Sequence, residues 1–292
     1  MEFLTPESWD EALTAKALSP DALPLAGGTD VMVELNLTAR RPPLLLDLTR
    51  IPELTTWSLT DDGRIRLGAG VTYRQVIEEL NDELPGLAMA ARTVGSPQIR
   101  NRGTVGGNLG AASPAGDCHP PLLAVGAEVE VASVVGSRLI PIDEFFTGVK
   151  RNALSPEELI AAVIVPTARG PQQFSKIGTR NAMVIAVCSF AIALDAHHQT
   201  VGTGIGSAAP TPIRAHGAER MLTHALKSLW QRRGPLPEDL VQQFALNVAT
   251  AAKPIDDVRG TAAYRQHALT VMARRTLTWA WDEYWSTGEA AA

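Results

Sequence analysis

Residues 99–117, IRNRGTVGGNLGAASPAGD, offer a ligand more backbone than any other stretch: nineteen positions hold five glycines, several small polar side chains and little apolar bulk. Gly103, Gly106, Gly107 and Gly110 remove Cβ at close intervals, which permits positive φ and lets consecutive N–H groups converge on an anion such as phosphate. Glycine clusters also build ordinary tight turns, so this stretch alone decides nothing. A second stretch, LAGGTDVMVELNL at residues 25–37, carries a short apolar run into Gly27-Gly28-Thr29-Asp30 and then into a helical apolar pattern. It reads as strand, tight turn and helix, with Thr29 or Asp30 as helix cap and the unpaired N–H groups of the turn facing outward. Two such turns within one domain's length suit a diphosphate gripped from both sides.

Other chemistries find no support. Gly68-Ala69-Gly70 and Gly202-Thr203-Gly204 each begin a GxGxxG pattern, but Tyr73 and Ser207 stand where its last glycine belongs. There is no Walker lysine loop and no GxSxG elbow. Asp61-Asp62 and Asp256-Asp257 sit in turn-like contexts that favour solvated carboxylates over an acid–base pair. Cys118 and Cys188 are the only cysteines, so this chain cannot by itself ligate an iron–sulfur cluster or build a cysteine zinc site. His197-His198 falls in a hairpin turn, where a solvated role is expected. A net charge of −5 without a long basic run argues against a sequence-independent grip on nucleic acid or an anionic membrane. The most apolar run, residues 182–194, is too short for a spanning helix, which takes about 20 residues. With no secretory signal visible, the expectation is a cytoplasmic protein without membrane insertion.

The elements around these turns read as α+β, and 292 residues predict more than one domain. Thr5-Pro6 opens a helix with Thr5 as N-cap; residues 23–26 form the strand leading into GGTD, and 44–48, which lack alternation, a strand buried on both faces and paired parallel to it. Residues 55–67 make a hairpin, assigned to this first lobe, and residues 72–80 a helix capped by Thr72. A small-residue helix over 87–94, a short helix over 119–125 and a hairpin over 128–142 follow. Two α+β lobes result, each bringing one glycine-rich turn to a shared cleft. A linker at 167–171 leads to antiparallel strands over 174–176, 183–195 and 201–206 and helices over 214–229, 238–251 and 262–284, with a frayed end at 290–292.

AGGTD at residues 26–30, TVGGN at 104–108 and ASPAGD at 112–117 together resemble the FAD-binding (medium) subunit of the molybdenum hydroxylases, the family of bacterial xanthine dehydrogenase and carbon monoxide dehydrogenase. KIGTRNAMVIA at 176–186, APTPIRA at 209–215 and YRQHALTVMARRTL at 264–277 are similar to its C-terminal domain, so the resemblance spans nearly the whole chain. It implies a two-lobed FAD-binding domain of the vanillyl-alcohol-oxidase (PCMH) type over 1–168, then a CO-dehydrogenase-flavoprotein C-terminal domain over 172–288. FAD is expected in the interlobe cleft, held non-covalently. Ala26, Gly27, Gly28, Thr29, Asp30 and Val31 match the family's first diphosphate turn; Thr104, Gly106, Gly107 and Asn108 match its second. Val94, Asp117, Ile160 and Lys176 fall where the family also contacts FAD, although some relatives place an aromatic at the Val94 position. Read without the family, Asp117 is a helix cap and Ile160 ordinary strand core.

The resemblance also implies an electron relay. A molybdopterin subunit hydroxylates the substrate, iron–sulfur clusters in another subunit pass the electrons on, and this chain hands them to an external acceptor, within a dimer of heterotrimers. Arg100 and Arg102, beside the second turn, are candidates to dock an acidic partner surface. Two rival classes remain open: a self-sufficient FAD-dependent oxidoreductase of the same superfamily, which needs a catalytic acid or base in its second domain, and a non-enzymatic nucleotide-binding module.

Overall fold

A computed structural model describes every residue except Arg40 and residues 287–292. The frayed end expected at 290–292 and the domain end expected at 288 lie outside the described residues. In the first lobe, β1 (Glu2–Leu4), β2 (Leu23–Leu25) and β3 (Leu44–Asp47) form a parallel sheet in the order β1-β3-β2. Leu44, Leu45 and Leu46 are buried, as their unbroken apolar run predicts for a central parallel strand. β1 and β2 are joined by α1 (Trp9–Leu18), which is capped by Ser8 and not by Thr5. Ser8 Oγ accepts the Glu11 N–H while the Glu11 carboxylate accepts the Glu7 N–H, so a reciprocal cap three residues further on wins over the Thr-Pro start. The glycine turn then leads into α2 (Val31–Leu37), where only Leu35 is buried.

The hairpin of β4 (Trp57–Leu59) and β5 (Ile65–Gly68) leaves the first lobe, contrary to the sequence assignment. Its neighbours come later, after α3 (Tyr73–Glu79), α4 (Pro85–Thr93), α5 (Pro97–Arg100), α6 (Val105–Ala111) and α7 (His119–Ala124). β6 (Glu128–Ser133) and β7 (Gly136–Pro141) form the next hairpin, followed by α8 (Ile142–Phe145) and the ribbon β8 (Phe146–Gly148) with β9 (Arg151–Asn152). β10 (Leu159–Val165) is buried along its whole length and needs neighbours on both edges; β5 and β6 supply them, giving the antiparallel order β4-β5-β10-β6-β7.

The second domain is an antiparallel sheet, β11 (Gln172–Ile177), β12 (Cys188–Asp195) and β13 (Thr200–Gly206), backed by α9 (His216–Leu226), α10 (Glu238–Ala251) and α11 (Ala262–Ser286). The middle strand begins at Cys188, not at residue 183. Met183 is exposed with φ 50°, and its carbonyl accepts from the Arg180 guanidinium, which holds a turn where a strand was expected. Phe190, Phe244, Trp230 and Trp281 fill the core between sheet and helices. The other face of the sheet lies on α7: a Cβ at Gly202 would strike the Ala124 carbonyl, and one at Gly204 the Pro120 carbonyl. That contact places the second domain against the helix that follows Asp117.

Candidate functional site

Both glycine turns stand at the same place. The first leaves the C-terminal end of β2, a usual ligand position in parallel sheets. Gly28 has φ 76°, a conformation that favours glycine, and among the described residues the N–H groups of Gly27, Gly28, Thr29 and Asp30 have no acceptor in the chain. Asp30 occupies the cap position of α2 but makes no side-chain cap, nor does Thr29, so the helix-cap reading of these two fails and their donors stay available. Gly27 lies so close to the second turn that a Cβ there would collide with the Arg102 carbonyl and Gly103. A Cβ at Gly107 would stand 3.7 Å from the Ala26 Cβ. The sequence expectation that the two turns converge is met.

The second turn works differently from the expectation. None of Gly103, Gly106, Gly107 and Gly110 has positive φ, and their N–H groups do not form a nest. Gly106 N–H donates to the Ala69 carbonyl at 3.1 Å, Gly107 N–H to Thr104 Oγ1 at 2.9 Å, and Asn108 N–H to the Thr104 carbonyl at 3.1 Å. Here glycine serves close packing. A Cβ on Gly106 would come within 2.5 Å of the Ala69 Cβ, so α6 can sit this close to β5's end only without one. Thr104 is the N-cap of α6, and Gly107 and Gly110 lie one turn apart on its exposed side. At Gly110 an added Cβ would make only ordinary contact, 3.8 Å, with Ile160 Cδ1 on β10, so this position does not demand glycine.

A cleft of about 330 Å³ opens at the first turn, walled by Ala26, Gly27, Gly28 and Thr29 on one side and by Asp47, Thr49, Gln98, Ile99 and Arg102 on the others. Asp47, Thr49, Gln98 and Ile99 were not among the sequence candidates, and Arg102 was read as a docking residue and not as part of this cleft. For Asp47 and Thr49 a signal existed, because they end the parallel strand next to β2 and such ends line ligand crevices. Gln98 and Ile99 carried no signal beyond their nearness to the second turn.

Asp117, Lys176 and Val94 gather behind this region. Lys176, on β11 of the second domain, donates to Asp117 Oδ2 at 2.5 Å and to the Thr93 carbonyl at 3.2 Å, next to Val94 at the end of α4. Both side chains are buried, and Thr93 Oγ1 also donates to Asp117 Oδ2 at 3.3 Å. Asp117 therefore caps no helix. Burial pushes its carboxyl above the ordinary range, partly offset by the Lys176 ammonium. Asp117 Oδ1 and Asn108 Oδ1 are buried acceptors with no donor among the described residues. The buried Tyr73 hydroxyl lies beside the Cys118 thiol, and desolvation raises both groups well above their ordinary values. His119 follows, fully buried against Phe146 with ring centroids 4.6 Å apart; desolvation lowers it to about 4, so its imidazole is neutral. Nε2 of His119 is 3.2 Å from the Asn108 carbonyl, which ties α7 to α6.

The arrangement suits a dinucleotide: among the described residues four consecutive N–H groups have no acceptor, three of them on residues that line the cleft (Gly27, Gly28 and Thr29), and the buried Asp117 Oδ1 and Asn108 Oδ1 have no donor. The sequence model of the family described as "FAD binding domain in molybdopterin dehydrogenase" matches residues 1–168, and that of the "CO dehydrogenase flavoprotein C-terminal domain" matches 173–280. The chain belongs to the FAD-binding subunits of the molybdenum hydroxylases. It is 30% identical over 280 residues to the xanthine dehydrogenase FAD-binding subunit of Escherichia coli, covering 92% of this chain and 91% of that one. It is also 30% identical over 290 residues to the carbon monoxide dehydrogenase medium chain of Hydrogenophaga pseudoflava, covering 96% of each. Among solved structures, a Cu,Mo-CO dehydrogenase in its cyanide-inactivated form superposes with a TM-score of 0.88 at 25% identity, covering 97% of this chain and 98% of that one. The expected α+β fold class, with the two domain types in this order, is borne out. FAD is the cofactor of this flavin subunit, while molybdopterin and iron–sulfur clusters are carried by the other chains of such complexes. No helix of the described residues is long and apolar enough to cross a membrane.

Proposed function

We propose that the flavin subunit holds one FAD, non-covalently, with its diphosphate at the junction of the two glycine turns, and relays electrons from the iron–sulfur subunit to an external acceptor. The observation that carries this reading is the run of four unpaired N–H groups from Gly27 to Asp30 at a turn pressed against Arg102 and Gly103. Ala26 and Val31 flank the donors and fix the turn between β2 and α2. Thr104 and Gly106 set the angle of α6, and Gly107 leaves a side-chain-free surface opposite Ala26. Asn108 and Asp117 offer their donor-free oxygens to ligand hydroxyls, Lys176 holds Asp117 in place, and Val94 and Ile160 give apolar contact. When bound, FAD supplies the exchange of electrons; the protein supplies position and electrostatics.

The further expectations belong to the same reading: domains over 1–168 and 172–288, assembly as a dimer of heterotrimers with an iron–sulfur and a molybdopterin subunit, and a cytoplasmic location. The test is the absorption spectrum of the purified chain before and after acid precipitation. A flavin spectrum that moves to the supernatant is expected. A colourless chain that takes up no added FAD, or a flavin that stays in the pellet, contradicts the reading.

A further inference from the structure

Residues 84–116 contain three arginines, Arg92, Arg100 and Arg102, and no acidic residue, within a chain of net charge −5. The short helix α5 divides these charges between two clefts. Gln98, Ile99 and Arg102 face the cleft at the first glycine turn, whereas Pro97, Arg100 and Asn101 wall a second, open cleft of about 380 Å³ with Arg74, Glu78 and Arg92. Arg100 and Arg102, close in sequence, thus serve different surfaces. In the second cleft Arg74 pairs with Glu78 at 2.8 Å, Arg92 donates to Asn81 Oδ1 at 2.7 Å, and Arg100 donates to the Val94 and Gly95 carbonyls at 3.2 and 3.1 Å. Neither Arg92 nor Arg100 forms an ion pair among the described residues, and Glu78 is the one carboxylate of the lining.

We propose that this second cleft docks a carboxylate-bearing segment of the iron–sulfur subunit. The inference rests on the flavin-subunit reading, which requires electrons to enter through an interface adjoining the FAD cleft; α5 is a wall common to both clefts, so a partner seated here stands beside the flavin site. The guanidiniums are anchored at three separate points, on Glu78, on Asn81 and on the 94–95 backbone, and this spread suits a run of carboxylates more than one small anion. Exposed charges of this kind steer encounter and fix the register of docking, with a strong dependence on salt.

The test uses the FAD-loaded chain and the purified iron–sulfur subunit of its own complex. Arg74 and Arg92 are exposed and lie outside the proposed FAD contacts, so the double variant Arg74→Glu/Arg92→Glu should keep its flavin, and flavin content per chain is measured first. The association rate with the iron–sulfur subunit is expected to fall at least about tenfold in this variant, and Arg233→Glu, exposed in the second domain between α9 and α10, to leave it unchanged. Wild-type association is expected to slow at least about tenfold between about 50 and 500 mM salt. Association of the double variant at the wild-type rate overturns the proposal. A salt-independent wild-type rate overturns it without any variant. Because flavin content is read separately, loss of docking is distinguished from failure of the FAD reading.

Discussion

Gly28 is the residue whose requirement is purely conformational. A Cβ there would meet only Leu25 Cδ1 and Met32 Cγ, both at 3.6 Å, yet φ is 76°. Gly28→Val carries a strain of about 1–2 kcal/mol in the native turn, more for a β-branched residue, and is expected to weaken FAD binding at least tenfold, by roughly that strain. Flavin titration followed by fluorescence checks this, with circular dichroism unchanged; wild-type affinity would remove the turn from the site. The Lys176–Asp117 pair gives a second prediction. Lys176→Met leaves a buried carboxylate unpaired and is expected to cost about 3–5 kcal/mol of stability, whereas Lys176→Met combined with Asp117→Leu costs less than Lys176→Met alone. Denaturant titration of the single and double variants measures the coupling. His119 sets a pH dependence. In the unfolded chain its imidazole gains a proton below about 6.5, but the folded chain resists until about 4, so the unfolded state binds more protons between these values. Stability therefore falls as pH drops from 6.5 to 4, by up to about 3 kcal/mol, and His119→Gln should flatten that part of the profile. At this scale the first turn was legible, because GGTD after an apolar run leaves donors unpaired. The cross-domain pairing of Asp117 with Lys176, 59 positions away, was reachable only through family resemblance, since nothing local in either segment names its partner.

At the scale of elements, what local chemistry decides was legible and what distant neighbours decide was not. The Thr72 cap of α3 with its reciprocal Gln75 bond, and the parallel pairing of β2 with β3, follow from short-range pattern. The β4–β5 hairpin reads equally well in either lobe until β10, about ninety residues later, claims its edge. The glycines of β13 are a similar case. Gly202 and Gly204 look like a broken nucleotide motif, and their actual use is to let β13 lie on the backbone of α7. Gly204→Ala should therefore cost about 3 kcal/mol, because its Cβ meets a carbonyl that cannot move without shifting α7. Thermal unfolding checks this, and a loss of flavin in parallel is expected because α7 begins two residues beyond Asp117. A neutral substitution would mean that the two domains are less tightly docked than the glycine contacts imply.

For the whole molecule, two lobes, one of them bearing the second domain on its α7 face, bring glycine turns from opposite sides to one cleft lined mainly by backbone and small side chains of the first turn. A flavin subunit of this family exchanges electrons through its cofactor, and the relay reading gives the attack on the substrate C–H bond to the molybdopterin subunit. The relay reading therefore predicts that the isolated subunit is inert toward substrates. Anaerobic stopped-flow mixing of the FAD-loaded chain with purines, aldehydes and aromatic heterocycles, repeated after adding the iron–sulfur and molybdopterin subunits, tests this directly. Flavin bleaching is expected only with the partners present; rapid bleaching of the isolated chain by any of these compounds would contradict the relay and make the protein a flavoenzyme in its own right.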